Sequence, residues 1–322
     1  MRAFAWASRG SLWLRRTFVD PPAPLAAIEV RARTLGAVRL VADAGGRSLG
    51  AAASVELPEG TLKLSMAEAN VAQPEAFRRG LRSVAEKAGI LGGGRVALVL
   101  PDPVARVALL PAAQVKGRRR ADVEEMIRFR LKKAVPFEIR DAHVAAVPVP
   151  GPVGEPQVLV GVILRTILDE YEGACRALGL EPGLVRLAGL VILDAIETGR
   201  PPADRVIVNW DDGYVSILLT RDGAPALIRT LTGADAASVE HVAREAAQTV
   251  LYYRERLGGT GFAEAVVRSA VIAPSEAALL LEEPLGLRPT ILNPWGALLS
   301  TDVASAQVLA GAAASVVGGR VA

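Results

Sequence analysis

Two stretches far apart in this chain open in the same way, and that recurrence limits the fold more than any single motif. Residues 25–41, LAAIEVRARTLGAVRLV, form two β-rich runs joined by a short polar turn, and SLGAAASVELPEG continues the alternation. The pattern returns at residues 206–231, where VNWDDGYVSILLTRDG reads as strand, tight turn and second strand, a hairpin. After the first opening, QPEAFRRGLRSVAEKAGI sets Phe77, Leu81, Val84 and Ala88 along one helical stripe, and GGGRVALVLPDP supplies a turn and a buried strand. After the second, residues 238–257 read as a helix, AVVRSAVIAP as a strand, and the C-terminal stretch as a final helix. A chain of 322 residues is too long for one hydrophobic core, so two lobes with a common plan are expected. The proline-containing break at residues 200–203 places the boundary between them.

The segment between the two openings carries the most informative helix, within RRRADVEEMIRFRLKKAVPFEIRDAHV. Val123, Met126, Ile127 and Leu131 recur at helical spacing, Asp122 favours the N-terminal end, Lys132 and Lys133 the C-terminal end, and Pro136 stops it. Arg130 falls on the apolar side, which is consistent either with a stem that snorkels out of a core or with a contact to a partner. QVLVGVIL follows as a strand apolar enough for burial on both faces, and TILDEYEGACRALGL as a helix.

Composition excludes several classes. Hydrophobic residues make up 51% of the chain and aromatics 4%, so the core is built from Ala, Val, Leu and Ile, as in layered α/β proteins. The 37 basic and 34 acidic residues are interspersed, a balance that argues against nucleic-acid binding through phosphate contacts. A single cysteine, Cys175, rules out an internal disulfide and reads as a buried thiol. Two histidines far apart, His143 and His241, make a metal site improbable. The uncharged run at 303–319 is shorter than the ~20 residues a membrane helix needs and reads as a buried helix. Trp6 and Trp13 stand among arginines in residues 1–23, a tail that either packs locally or rests on a membrane surface.

Three stretches carry a family resemblance. ADVEEMIRFRLKKAVPFEIRDAHV resembles a helix of the PilM family of type IV pilus assembly proteins, ending in a polar residue, an aliphatic, Pro and Phe. VLVGVILRTILDEYEGACRALGLEPGLVRLAGLVILDA is similar to that family's strand, helix, turn and second helix, and AREAAQTVLYYRERLGG to its helix with Glu245, Thr249, Val250, Tyr252 and Tyr253. The resemblance runs from about residue 24 to 319 and implies an actin-like ATPase fold of class α/β. It implies two lobes with duplicated βββαβαβα-type domains, at 24–200 and 201–322, and a small inserted subdomain at about 75–149. It also implies a PilN-like inner-membrane protein whose cytoplasmic tail is bound, and other pilus assembly proteins as further partners; the helix residues themselves offer Arg128, Phe129 and Arg130, an aromatic and two cations near its edge, as the candidate contacts.

An actin-like nucleotide site needs glycine-containing turns that let backbone N–H groups approach phosphate, and an acidic residue for the metal. Where the family has D-x-G in the first lobe, this chain has Glu29, Val30 and Arg31, and in the second lobe Asn209, Trp210 and Asp211. The DDG lies downstream, so Gly213 is expected to serve a tight turn. The glycine pair on the adenosine side is replaced by Ala273 and Pro274, and Pro274 lacks an N–H; Glu245 completes the set of vestigial positions. The expectation is a non-enzymatic pseudo-ATPase with no cofactor, a cytoplasmic adaptor that reaches the inner membrane only through its partner. The alternative is an ATP-binding actin-like switch or polymerising protein of a pilus or type II secretion system, with Arg31 on a phosphate and Asp211 or Asp212 on Mg²⁺.

Overall fold

The computed structural model describes residues 24–43, 46–92, 94–114, 119–233, 236, 238–293 and 307–317. The tail at 1–23, with Trp6 and Trp13, lies outside the described residues, as do 303–306 and 318–319 of the uncharged C-terminal run. In chain order the first half comprises β1 (Ala26–Val30), β2 (Thr34–Asp43), β3 (Gly46–Glu56), α1 (Pro74–Lys87), β4 (Gly94–Leu100) and β5 (Ala105–Pro111). It continues through α2 (Arg120–Leu131), β6 (Ala142–Val149), β7 (Gln157–Leu164), α3 (Arg165–Arg176), β8 (Leu180–Leu187) and α4 (Ala188–Glu197). The second half has β9 (Arg205–Asp211), β10 (Tyr214–Arg221), β11 (Ala224–Thr232), α5 (Val239–Arg256), β12 (Glu264–Ser269), α6 (Pro274–Leu285), β13 (Thr290–Ile291) and α7 (Ala310–Val317).

The two halves form two five-stranded sheets of one design, β3-β2-β1-β4-β8 and β11-β10-β9-β12-β13. In each, three strands make an antiparallel meander and two more add in parallel beside its first strand. The parallel additions require crossover helices, which is why apolar strands alternate with amphipathic helices in the sequence. Leaving out β5, α2, β6 and β7, both halves read βββαβαβα.

Each sheet has two differently covered faces. On the first sheet, Phe77, Leu81 and Val84 of α1 and Ile167, Tyr171 and Cys175 of α3 pack against Ile28, Val30, Leu35 and Leu98. The burial expected for Cys175 is observed. On the second, Val242, Ala246 and Tyr253 of α5 and Ala277, Leu281 and Leu285 of α6 pack against Val206, Val208 and Val215. The remaining face of each sheet turns toward the other lobe and is lined by helices at the ends of the two repeats. Ile192, Leu193 and Ile196 of α4 meet Ile207, Leu218 and Val266 of the second sheet, while Leu309, Ala312, Ala313 and Val316 meet Ala27, Val38, Leu40 and Ala97 of the first.

Four sequence expectations are corrected here. The insert is the three-stranded antiparallel sheet β5-β7-β6 with α2, spanning 105–164 rather than 75–149. Helix α1 and strand β4 belong to the main lobe, because β4 pairs with β1 and the α1 stripe packs on the first sheet. The second lobe does not hold everything from 201 onward, since α7 returns to the first sheet. The hairpin at 206–231 has a third strand, β11, and the strand read across AVVRSAVIAP ends at Ser269.

Candidate functional site

The two sheets face each other across their first turns, and the side chains there are charged and buried. Arg31 follows β1, and its side chain reaches across to Asp211 at the end of β9. Its Nε donates to Oδ1 and Oδ2 at 3.0 and 2.9 Å, and Nη2 donates to Oδ1 at 2.7 Å. Nη1 donates to Thr34 Oγ1 at 2.8 Å, so the guanidinium is anchored on its own lobe as well. A forked arginine of this kind, with a partner at each of its three nitrogens, is a strong charge-assisted contact. On the solvent side, Arg33 pairs with Asp212 at 2.8 Å, an exposed contact of small energetic weight.

Arg268 lies deeper, next to the last residue of β12, and is fully buried. Nη1 donates to Asn209 Oδ1 at 2.9 Å and Asp211 Oδ2 at 2.7 Å, Nη2 to Glu29 Oε1 at 3.1 Å, and Nε to the Gln307 carbonyl at 2.9 Å. The other oxygen of Glu29 accepts the Ala312 N–H at 2.9 Å, near the N-terminus of α7, where the helix dipole favours an anion. Gly311 is what permits this approach, because a Cβ there would lie 2.6 Å from Glu29 Oε1.

A third carboxylate, Asp102, follows β4 and is also buried. It accepts the Gly189 N–H near the start of α4 at 2.8 Å, the Ser216 hydroxyl at 2.6 Å and Asn209 Nδ2 at 3.3 Å. Asn209 therefore joins Asp102 to Arg268, and the whole set is one network running from Thr34 to Thr230, which shares a 3.0 Å hydrogen bond with Ser216. Burial raises the Glu29 and Asp102 carboxyls above the usual range, outweighing the cations and donors around them. Burial would raise Asp211 too, but Arg268 and Arg31 outweigh it and hold that carboxyl well below the usual range.

Of the positions singled out in the sequence, Glu29, Arg31, Asn209 and Asp211 converge here. Gly213 sits in the tight β9–β10 turn with φ 81°, the left-handed backbone for which it was expected, with open space where a side chain would project. Glu245 lies on α5 and pairs with Arg229 of β11 at 2.5 Å, while Ala273 and Pro274 open α6. Arg268 and Asp102 escaped sequence reading. The available signal was a charge directly following an apolar run, Arg268 after AVV and Asp102 after VALVLP. Among the described residues no group of His, Cys, Asp and Glu is arranged to hold a metal ion, and no helix is long and apolar enough to cross a membrane.

The candidate partner contacts on α2 divide. Arg128 is half-buried and bonded within the insert, donating to the carbonyls of Ile139 and Ala142 and pairing with Glu124 at 2.7 Å. Phe129 is 69% exposed, with Lys132 Nζ 4.7 Å from its ring centroid. Arg130 is exposed beside it rather than on the apolar side, which Ile127 and Leu131 occupy.

No protein-family model and no curated protein matches the chain. Among solved structures, a "PilM-PilN type IV pilus biogenesis complex" superposes with a TM-score of 0.72 at 20% identity, over 93% of this chain and 98% of that one. A protein of Bacteroides thetaiotaomicron VPI-5482 described as having an actin-like ATPase fold and unknown function gives a TM-score of 0.51 at 9% identity, over 91% and 98%. Together with the duplicated βββαβαβα halves, these likenesses show that the chain has the actin-like ATPase fold.

Proposed function

We propose that this chain is a non-catalytic adaptor of type IV pilus assembly, a PilM-like protein that works on the cytoplasmic side of the inner membrane by binding the tail of a PilN-like protein. The observation that carries the non-catalytic half is the Arg31–Asp211–Arg268–Glu29 network. In an actin-like site the two turns must hold out backbone N–H groups to phosphate, and here the space between them is crossed by the Arg31 guanidinium, already paired with the Asp211 carboxylate and the Thr34 hydroxyl. A nucleotide entering it would have to displace Arg31 and leave Asp211 with half its charge compensation. The network also lacks a free base or nucleophile: all three carboxylates are occupied as acceptors. The pilus half rests on the likeness to the PilM-PilN complex over nearly the whole of both chains. Capture of a short tail requires apolar anchors and charge, not catalysis, and exposed Phe129 beside Arg130 offers both.

A second reading, an ATP-driven switch, is favoured by the carboxylates retained at both turns, which would be free for Mg²⁺ if the two arginines swung away. One titration separates the two. A synthetic cytoplasmic tail of the membrane partner is titrated into the purified chain with and without ATP and Mg²⁺. The expected outcome is tail binding that is indifferent to nucleotide and at least tenfold weaker, ~1.4 kcal/mol, in the Phe129→Ala/Arg130→Ala variant at unchanged melting temperature. Tail affinity that changes with ATP supports the switch; affinity unchanged in the variant places the tail elsewhere.

A further inference from the structure

We infer that the buried charge network is a latch that holds the two lobes at one angle without any ligand, and so sets the width of the cavity between them. The contacts sort into two kinds. Arg268 to Asp211 and Asn209 lie within the second lobe, whereas Arg31 to Asp211, Arg268 to Glu29, and Asp102 to Ser216 and Asn209 cross from one lobe to the other. Opening the cleft would break the crossing contacts together, because Asp211 and Arg268 each sit on both kinds. Such a network is stable only when every member is satisfied: partial opening leaves buried charges uncompensated, so the closed arrangement is all-or-none. In an ATPase of this fold the bound nucleotide would supply the bridge between lobes; here two arginines and three carboxylates supply it from within the chain.

The far end of the latch reaches a cavity. Asp102 lies on the boundary of a cavity of about 330 Å³ whose walls come from both lobes: Leu64, Met66 and Arg106 on one side, Ile228 and Thr230 on the other. Ser216 holds Asp102 and Thr230 simultaneously, so any change in lobe angle that breaks the Asp102 contact also moves the second wall. This coupling stands apart from the adaptor reading and needs no partner to be tested.

Spin labels on Glu68→Cys and Thr232→Cys flank the cavity from the two lobes, and Cys175 is buried away from the reagent. The parent chain is expected to give one narrow distance, unmoved by ATP and Mg²⁺. Arg31→Met removes a crossing contact while Asp211 keeps Arg268, so the second lobe stays satisfied and the distance should lengthen and broaden. Glu29→Gln, which retains an acceptor for the Ala312 N–H, should shift it less and in the same direction, and decides the matter if Arg31→Met does not fold. Arg176→Ala, which removes an ion pair with Glu172 inside α3 of the first lobe, should leave the distance alone. An unchanged distance in both latch variants, with the fold intact, would overturn the inference and assign lobe closure to the packing of α4 and α7.

Discussion

Two aspartates in the same network titrate in opposite senses. Asp211 lies between two guanidiniums that outweigh its burial, so its folded pKa falls below the unfolded value. The stability it contributes is present above the ordinary carboxylate range and is lost only as pH falls through the depressed folded value, in strong acid. Asp102 is surrounded by neutral donors, and burial raises its carboxyl despite Ser216, Gly189 and Asn209. A raised folded pKa reverses the sign: the contribution is fully present below the unfolded value of ~3.9 and is lost as pH rises through the folded one. Asp102→Asn keeps an acceptor for the Gly189 N–H and cannot ionise, so it escapes that loss. The stability of this variant relative to the parent is therefore expected to climb with pH above about 4, by no more than ~1.4 kcal/mol per pH unit. Glu29 shares the raised sense and cancels in the comparison. Melting temperatures across a pH series test this; parallel curves would mean that Asp102 does not change its charge on folding.

Helices in this chain are set by their neighbours more than by their own sequence, and two glycines make the point. Gly173 is in the interior of α3, exposed, with open space where a side chain would go. Gly173→Ala should stabilise by ~0.5–1 kcal/mol, because alanine loses less backbone entropy in a helix. Gly311, in α7, would gain by the same argument, but an added methyl meets the Glu29 carboxylate at 2.6–2.9 Å. Displacing that carboxylate loosens it from the Ala312 N–H and from Arg268, so Gly311→Ala should destabilise by ~1–3 kcal/mol, the range for overpacked sites. Chemical denaturation of both variants checks the opposite signs, and a stabilised Gly311→Ala would remove Glu29 from the account of the cleft. The same contrast explains what the sequence disclosed at this scale. The α1 stripe of Phe77, Leu81 and Val84 was legible because its partner sheet needs only apolar surface. Arg130 was misplaced because helical spacing alone cannot tell which side of α2 meets β6 and β7.

At the scale of the molecule, the duplicated plan could be read from two meanders that begin alike, but the way the lobes interlock could not. Helix α7 closes the second repeat in sequence and packs on the first sheet, and nothing in 310–317, a run of Ala, Gly, Ser and Val, names its destination. That arrangement makes the first lobe depend on the far end of the chain. Without residues 307–322, Ala27, Val38, Leu40 and Ala97 lose their cover, Glu29 loses the Ala312 N–H, and Arg268 loses the Gln307 carbonyl. The first two losses fall on the first lobe although the deleted residues follow the second. A buried carboxylate stripped of one partner beside an uncovered apolar face is expected to cost several kcal/mol, a large share of a typical domain's stability. The chain truncated after residue 306 should therefore lose order first around β1, β2 and β4, the strands that α7 covers. Hydrogen exchange followed strand by strand distinguishes this from simple fraying. If exchange instead accelerates only in the second lobe, α7 is an appendage of that lobe and the first sheet stands without it.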